Sequence, residues 1–274
     1  MAATLLIVFR EVLEAALVVG IVLAASQGVP RRGVWVGGGV AAGILGAVLV
    51  AAFADAIAGA AEGMGQEMFN ASILFLAVLM LGWHNVWMGR HGREMVAEMN
   101  AVGSAVREGA RPLYALALVV AVAVLREGAE TVLFLYGIAA SGGTAAGPML
   151  IGGALGLAAG VTVGLALYFG LLSLPTRYLF AATSVLVLFL AAGMASQGAA
   201  FLMQAGYLPS LGQVWDTSFL LSERSVAGQV LRVLIGYSAQ PDGVQVLFYL
   251  ATLLTIGGLM WLLRPTPQRR AAAA

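Results

Sequence analysis

The chain has 274 residues, of which 61% are hydrophobic and 10% charged, with a net charge of +1 and a mean hydropathy of +0.95. A water-soluble domain needs a polar surface that this composition does not supply, so the long apolar runs read as membrane helices. There is no cysteine, which excludes disulfides, thiolate metal sites and iron–sulfur clusters.

In chain order, apolar windows fall at about 4–26, 34–57, 68–88, 113–139, 148–172, 179–203 and 245–263. Each is near the roughly 20 residues that a bilayer core requires. The expected fold is an all-α integral membrane protein with seven transmembrane helices. One domain covers residues 1–264, and 265–274 form a disordered tail. The first window resembles a signal peptide in length. No basic residue precedes it, however, and Arg10, Glu11 and Glu14 sit inside it, so it is read as a retained span. Between the third and fourth windows, Met95, Met99, Val102 and Val106 recur at helical spacing among charged residues. That pattern predicts an amphipathic helix over 91–108 on the inner membrane surface. Before the last window, Ser225 is placed to cap a short helix ending at Gly236.

Arginine placement orients the bundle. With the N-terminus outside, the inner loops hold ten arginines: Arg31, Arg32, Arg90, Arg93, Arg107, Arg111, Arg177, Arg264, Arg269 and Arg270. The outer loops hold only Arg224 and Arg232. This is a positive-inside bias. Six acids, Asp55, Glu62, Glu67, Asp216, Glu223 and Asp242, fall outside, and a negative outer mouth concentrates cations.

The chain also repeats itself. Arg10-Glu-Val-Leu-Glu14 in the first span recurs as Arg126-Glu-Gly-Ala-Glu130 in the fourth, and Gly39-x-x-x-Gly43 in the second recurs as Gly156-x-x-x-Gly160 in the fifth. Repeat 1 covers about 4–88, repeat 2 about 113–203, and a single helix over 245–263 follows. Three spans per repeat invert the second copy. The result is a 3+3 inverted repeat, a plan that places a binding site near the midplane.

Each charged motif sets three ionised groups inside a span. At about 2.5–3.5 kcal/mol per charge, insertion costs on the order of 8–10 kcal/mol per cluster before pairing. An Arg and a Glu four apart neutralise each other on one helix, but a second Glu is left over in each copy. Glutamates three apart share a helix face. Crossing the two helices therefore gathers Glu11, Glu14, Glu127 and Glu130, with Arg10 and Arg126 supporting them. Four carboxylates and two guanidinium groups sum to −2, which calls for a cation. Oxygen donors without sulfur or extensive imidazole favour hard ions such as Fe3+, Mg2+, Ca2+ or Mn2+ and disfavour Cu+.

These motifs resemble the high-affinity iron permease family, which has bacterial members and fungal oxidase-dependent ferric permeases. The similarity extends to Gln66-Glu-Met-Phe69, Ala192-Gly193, Gln204-Ala-Gly206 and Trp215-Asp216. Two positions depart from the pattern. Val12 stands where the family usually has Gly, and Asn70 where several members have Glu. The resemblance implies a permease of the bacterial inner membrane that imports ferric or ferrous iron, bound by Glu11, Glu14, Glu127 and Glu130. It implies no cofactor, with iron as the transported substrate. It also implies a periplasmic iron-oxidising or iron-binding partner protein, and no nucleic acid.

Other polar residues have two readings each. His84 and His91 share a face of the third span at its inner end. They are either a metal exit route or, for His84 and by preference, packing beside Trp83 and Trp87 in the interfacial belt. Glu67 and Asp216 pass a cation inward from the outer face, or Asp216 caps its loop. Gln197 and Gln204 line a polar path or bond between helices. The competing functions are a transporter of another cation, such as manganese or lead, and an intramembrane redox enzyme with haem. The second fits poorly, because the only two histidines lie about 10 Å apart along one helix.

Overall fold

The computed structural model describes residues 1–60, 65–141, 146–170, 176–223 and 225–263. Glu62, Arg224 and the expected tail lie outside the described residues, as do the side chains of His91, Arg90 and Arg93. Among the described residues the regular structure is all helical, apart from one isolated bridge between Gln213 and Asp242. Its helices are α1 (Ala2–Ala25), α2 (Arg32–Ala60), α3 (Gln66–Arg107), α4 (Tyr114–Ala140), α5 (Ala146–Tyr168), α6 (Thr176–Gln204), α7 (Val226–Ile235) and α8 (Gly243–Leu262).

Five of these contain stretches long and apolar enough to cross a membrane: Arg32–Ala56, Gln66–Trp87, Ala146–Tyr168, Ala181–Gln204 and Gly243–Leu262. α1 and α4, at 24 and 27 residues, have the length as well. They differ in carrying the two charged motifs. The outward faces of α2 and α5 are apolar, with Leu49, Phe53, Leu150 and Leu165 all exposed. That is the surface of a protein dissolved in lipid.

The expected surface helix over 91–108 is not separate. It continues α3 without a break, giving one helix of 42 residues, about 63 Å long at 1.5 Å per residue. The reason is packing. Its apolar stripe has a protein partner, so it need not lie on lipid: Met99 and Val106 are buried against Val18, Val22, Val36, Leu116 and Val120. At Gly103 a Cβ would lie 2.5 Å from the Ala25 Cβ, so only glycine lets α3 pass the end of α1 this closely. The short helix α7 forms where Ser225 and Gly236 delimit it. The Ser225 hydroxyl accepts a bond from the Gly228 amide at 3.0 Å, and Gly236 closes the helix at φ 70°. Gly236 also abuts Gly193 of α6, where an added Cβ would come within 2.6 Å of the Gly193 Cα. α8 opens with a capping box: Asp242 accepts from the Val244 amide at 2.8 Å, and Gln245 accepts from the Asp242 amide at 2.9 Å.

The motif helices are gripped by small residues. α2 packs along α4, and α5 along α1. Gly39 and Gly43 face Ala117 and Ala121 of α4, while Gly152 and Gly156 face Met1 and Leu5 of α1. Relative to the motifs, therefore, Gly39 corresponds to Gly152. The sequence match to Gly156 is displaced by one helical turn. Next along, Ala47 meets Gly128, and Gly160 meets Val12. The bulk that Val12 adds to the first motif is accommodated by a glycine opposite, and the glycine of the second motif meets an alanine.

At Gly156 a Cβ would stand 2.6 Å from the Leu5 carbonyl oxygen and 2.9 Å from the Phe9 nitrogen, so backbone would have to move. Gly156→Ala is expected to lower stability by about 1–3 kcal/mol, the cost of overpacking. Gly38→Ala, at a position with open space around it, should leave stability unchanged. Thermal unfolding of both variants in detergent checks this, and equal midpoints would contradict the packing account.

Candidate metal centre

α1, α3 and α4 pack on one another and bring the two charged motifs together. Glu11, His84, Glu127 and Glu130 each offer one ligand atom, and the four atoms lie within 4.8 Å of one another. Oxygen ligands sit at about 2.0–2.6 Å from a metal, so donors on opposite sides of one ion lie roughly 4–5 Å apart. The cluster therefore has the span of a single-ion site.

The fourth expected glutamate, Glu14, stands beside this group. Its carboxylate lies 3.1 Å from the Arg10 Nε and 3.4 Å from the His84 Nε2. The other ring nitrogen of His84 is in close contact with Glu130. His84 thus bridges a glutamate of each motif. It is buried and does not pack in an interfacial aromatic belt, which corrects the preferred sequence reading. Trp83, one residue earlier, does face outward.

The two arginines differ. Arg10 has only 2% of its side chain exposed, 3.4 Å from Glu11 as well as within reach of Glu14. Arg126 binds Glu127 through Nη2 at 2.7 Å and Nε at 3.1 Å, lies 3.6 Å from Glu130, and stays 35% exposed. Its guanidinium sits 5.2 Å from the Trp87 ring centroid, a cation–π contact that shields its open side.

The site is well buried but poorly satisfied. Five carboxylate oxygens have no hydrogen-bond donor: Glu11 Oε2, both oxygens of Glu14, Glu127 Oε2 and Glu130 Oε2. Those of Glu14 and Glu130 have a guanidinium or imidazole nitrogen within ion-pair distance but outside hydrogen-bond alignment. An unmet buried acceptor costs about 1–3 kcal/mol, and more when charged. Such a cluster is chemically suited to a cation.

The remaining candidates lie elsewhere. Glu67 is exposed in the first turn of α3. Asp216 is exposed and accepts from the Ser218 amide and hydroxyl at 2.8 and 2.5 Å and from Gln240 at 2.8 Å. These bonds hold its carboxyl below the ordinary aspartate range and make it a loop staple. Gln197 and Gln204 line a cavity of about 580 Å³ between α6 and the loop that carries α7.

A bundle of apolar helices around a buried carboxylate cluster is the form of a cation transporter. The model of the Iron permease FTR1 family matches residues 1–264, and the chain belongs to that family. It is 32% identical over 242 residues to the ferrous iron permease EfeU of Escherichia coli O6:H1 strain CFT073, covering 86% of this chain and 87% of that protein. To the ferrous iron permease EfeU of Yersinia pestis it is 31% identical over 255 residues, covering 91% and 89%. No solved structure matches the chain. It is a multi-pass membrane protein and an iron permease rather than an enzyme.

Removing Arg10 leaves Glu11 and Glu14 uncompensated in a buried site, a loss of about 3–5 kcal/mol. Arg10→Leu should therefore destabilise the protein markedly more than Arg126→Leu, whose position is partly open. The two unfolding midpoints in detergent decide this, and the reverse order would contradict it.

Proposed function

We propose that the chain imports ferrous iron through a site formed by both motifs together with His84. The observation that carries this is the buried cluster of Glu11, His84, Glu127 and Glu130, spaced for one ion and bordered by carboxylate oxygens without donors. Glu14 is a second-rank oxygen donor that holds the ring of His84. Arg10 and Arg126 position the carboxylates and limit their mutual repulsion. An imidazole among oxygens suits a borderline ion such as Fe2+ better than an all-oxygen set does. The relatives are named ferrous iron permeases, which supports the same oxidation state.

Seven spans follow from this reading. α1 and α4 cross the membrane with the other five because their charges turn inward toward each other. The N-terminus lies outside, as the arginine distribution requires. The pairs α2–α4 and α1–α5 are then equivalent under an inverted repeat, each repeat's second helix holding the other repeat's motif helix. Manganese and other divalent ions fit the same donors, so selectivity is the property to measure.

Uptake of radioactive ferrous iron into proteoliposomes tests the proposal. Glu11→Gln, Glu127→Gln and His84→Leu are each expected to cut the initial rate at least tenfold while the protein stays folded in the membrane. Arg10→Lys and Arg126→Lys should weaken it less, since the charge remains but the planar fork is lost. Full activity in Glu11→Gln combined with Glu127→Gln would remove the motifs from transport. A stronger effect of manganese than of unlabelled iron as competitor would favour the alternative cation.

A divalent ion moving inward at 100 mV gains about 4.6 kcal/mol, twice the roughly 2.3 kcal/mol of a single charge. Collapsing the membrane potential at constant pH should therefore slow uptake severalfold. An unchanged initial rate would show that another gradient drives transport.

A further inference from the structure

One turn from Glu11, His84 and Glu130, on the same helix face, stands a fully buried apolar side chain: Ile7 before Glu11, Leu81 before His84, and Phe134 after Glu130. These three belong to one packed cluster with Ile138 of α4 and with Leu190 and Met194 of α6. Packing there is tight. A Cβ on Gly137 would lie 2.7 Å from the Met194 Cε and 3.0 Å from the Ala77 Cβ.

On the far side of this cluster Ile138, Leu190 and Met194 form the floor of the 580 Å³ cavity. Ile138 is eight residues from Glu130, about 12 Å along the helix. The walls above the floor are of another chemistry. Gln197, Gln204, Gln240, Gln245 and Tyr237 line them with hydroxyls from several serines, together with Arg232 and the apolar Met203. The single carboxylate there, Glu223, is already engaged: it accepts from the Ser238 hydroxyl at 3.0 Å and the Ala239 amide at 2.6 Å, and lies 3.8 Å from Arg232. The cavity is therefore polar but close to neutral. It offers amide and hydroxyl oxygens in place of a set of carboxylates that would strip water from an ion.

We infer that this cavity is a second metal station, which takes the cation with its water shell and is divided from the carboxylate cluster by an apolar seal of Ile7, Leu81, Phe134 and Met194. The inference rests on the proposed role of the carboxylate cluster as the transport site. At about 30 Å³ per water the cavity has room for an ion and a full first shell. Neutral oxygens are suited to the outer face of that shell, because they accept hydrogen bonds from the ion's waters without displacing them. Dehydration then belongs to the step below, where carboxylates replace the waters. Between the two lies a dry layer that a hydrated charge cannot occupy at low cost, so the seal must part for each ion. Apolar constrictions close ion paths in this way by excluding water.

Two measurements test it. Gln197→Leu combined with Gln204→Leu is expected to raise the KM for ferrous iron at least fivefold with maximal uptake within twofold of the parent. Gln197→Asn, which keeps the amide, should stay near the parent KM. Loss of maximal rate with an unchanged KM would overturn the station. The seal is read separately in the cysteine-free chain. A cysteine at Ser141, which lines the cavity, should react with a membrane-impermeant maleimide from outside. Ile7→Cys should react at least tenfold more slowly, and adding Phe134→Ala should speed it. Ala77→Cys gives the same reading from α3 if the Ile7 variant does not reach the membrane. Equal labelling of Ser141→Cys and Ile7→Cys would overturn the seal. Glu11→Gln with Glu127→Gln is measured in parallel. If that double variant still transports, the carboxylate reading has failed, whereas the labelling rates still report on the seal.

Discussion

Everything in this bundle answers to one constraint: ionised side chains must be kept inside an apolar solvent. Each motif helix carries two carboxylates and one guanidinium group, and neither helix can neutralise itself. Arg10 and Arg126 pair with carboxylates of their own helices, and bringing α1 and α4 together with α3 between their charges adds His84 as a neighbour of Glu14 and Glu130. The arrangement still leaves five carboxylate oxygens without an aligned donor. A soluble protein would relieve that with water. A membrane protein of this composition has few internal sources, so the affinity for a cation and the cost of the fold have the same origin.

The glycines belong to the same argument. The motif helices must sit close to their neighbours, because any gap would admit lipid or water beside a buried charge. Glycine and alanine along α2 and α5 allow backbone contact with α4 and α1. At the two motifs what recurs is a glycine on one side of the contact, not a fixed residue at each position. Ala47 against Gly128 and Gly160 against Val12 fill equivalent positions with opposite partners. The departure at Val12 therefore leaves the motif's backbone in place.

Much of this was legible from sequence for a physical reason. Seven hydrophobic windows were visible, and their bounds fall within a few residues of seven helices, except where α3 runs on. The short helix α7 was announced by Ser225 and Gly236, whose capping roles are local. The four glutamates stood out as charges in apolar runs. His84 did not, because its place was judged from the end of a hydropathy window. The third window closes near residue 88, which made His84 look interfacial. Continuation of α3 to Arg107 is decided by tertiary packing of Met99 and Val106, which no window detects. The rule that flagged the glutamates, an ionisable group within a span, would have flagged His84 too. Of the cavity only Gln197 and Gln204 were legible, as one of two readings of them; its other walls come from α4, α8 and the loop bearing α7, distant in sequence.

The unbroken length of α3 has a mechanical corollary. The helix is a stiff rod, lodged at one end where Gly103 presses on Ala25, and it carries the imidazole that touches both motifs. Nineteen residues separate Gly103 from His84, about 28 Å along the axis. A tilt of about 5° about the lower contact would sweep the imidazole sideways by roughly 2.5 Å, on the order of a metal–ligand bond length. Such a tilt would shift the proposed ligand set with α3 moving as one body. The fulcrum is a glycine far from the chemistry, and the distance between the two gives the helix its leverage.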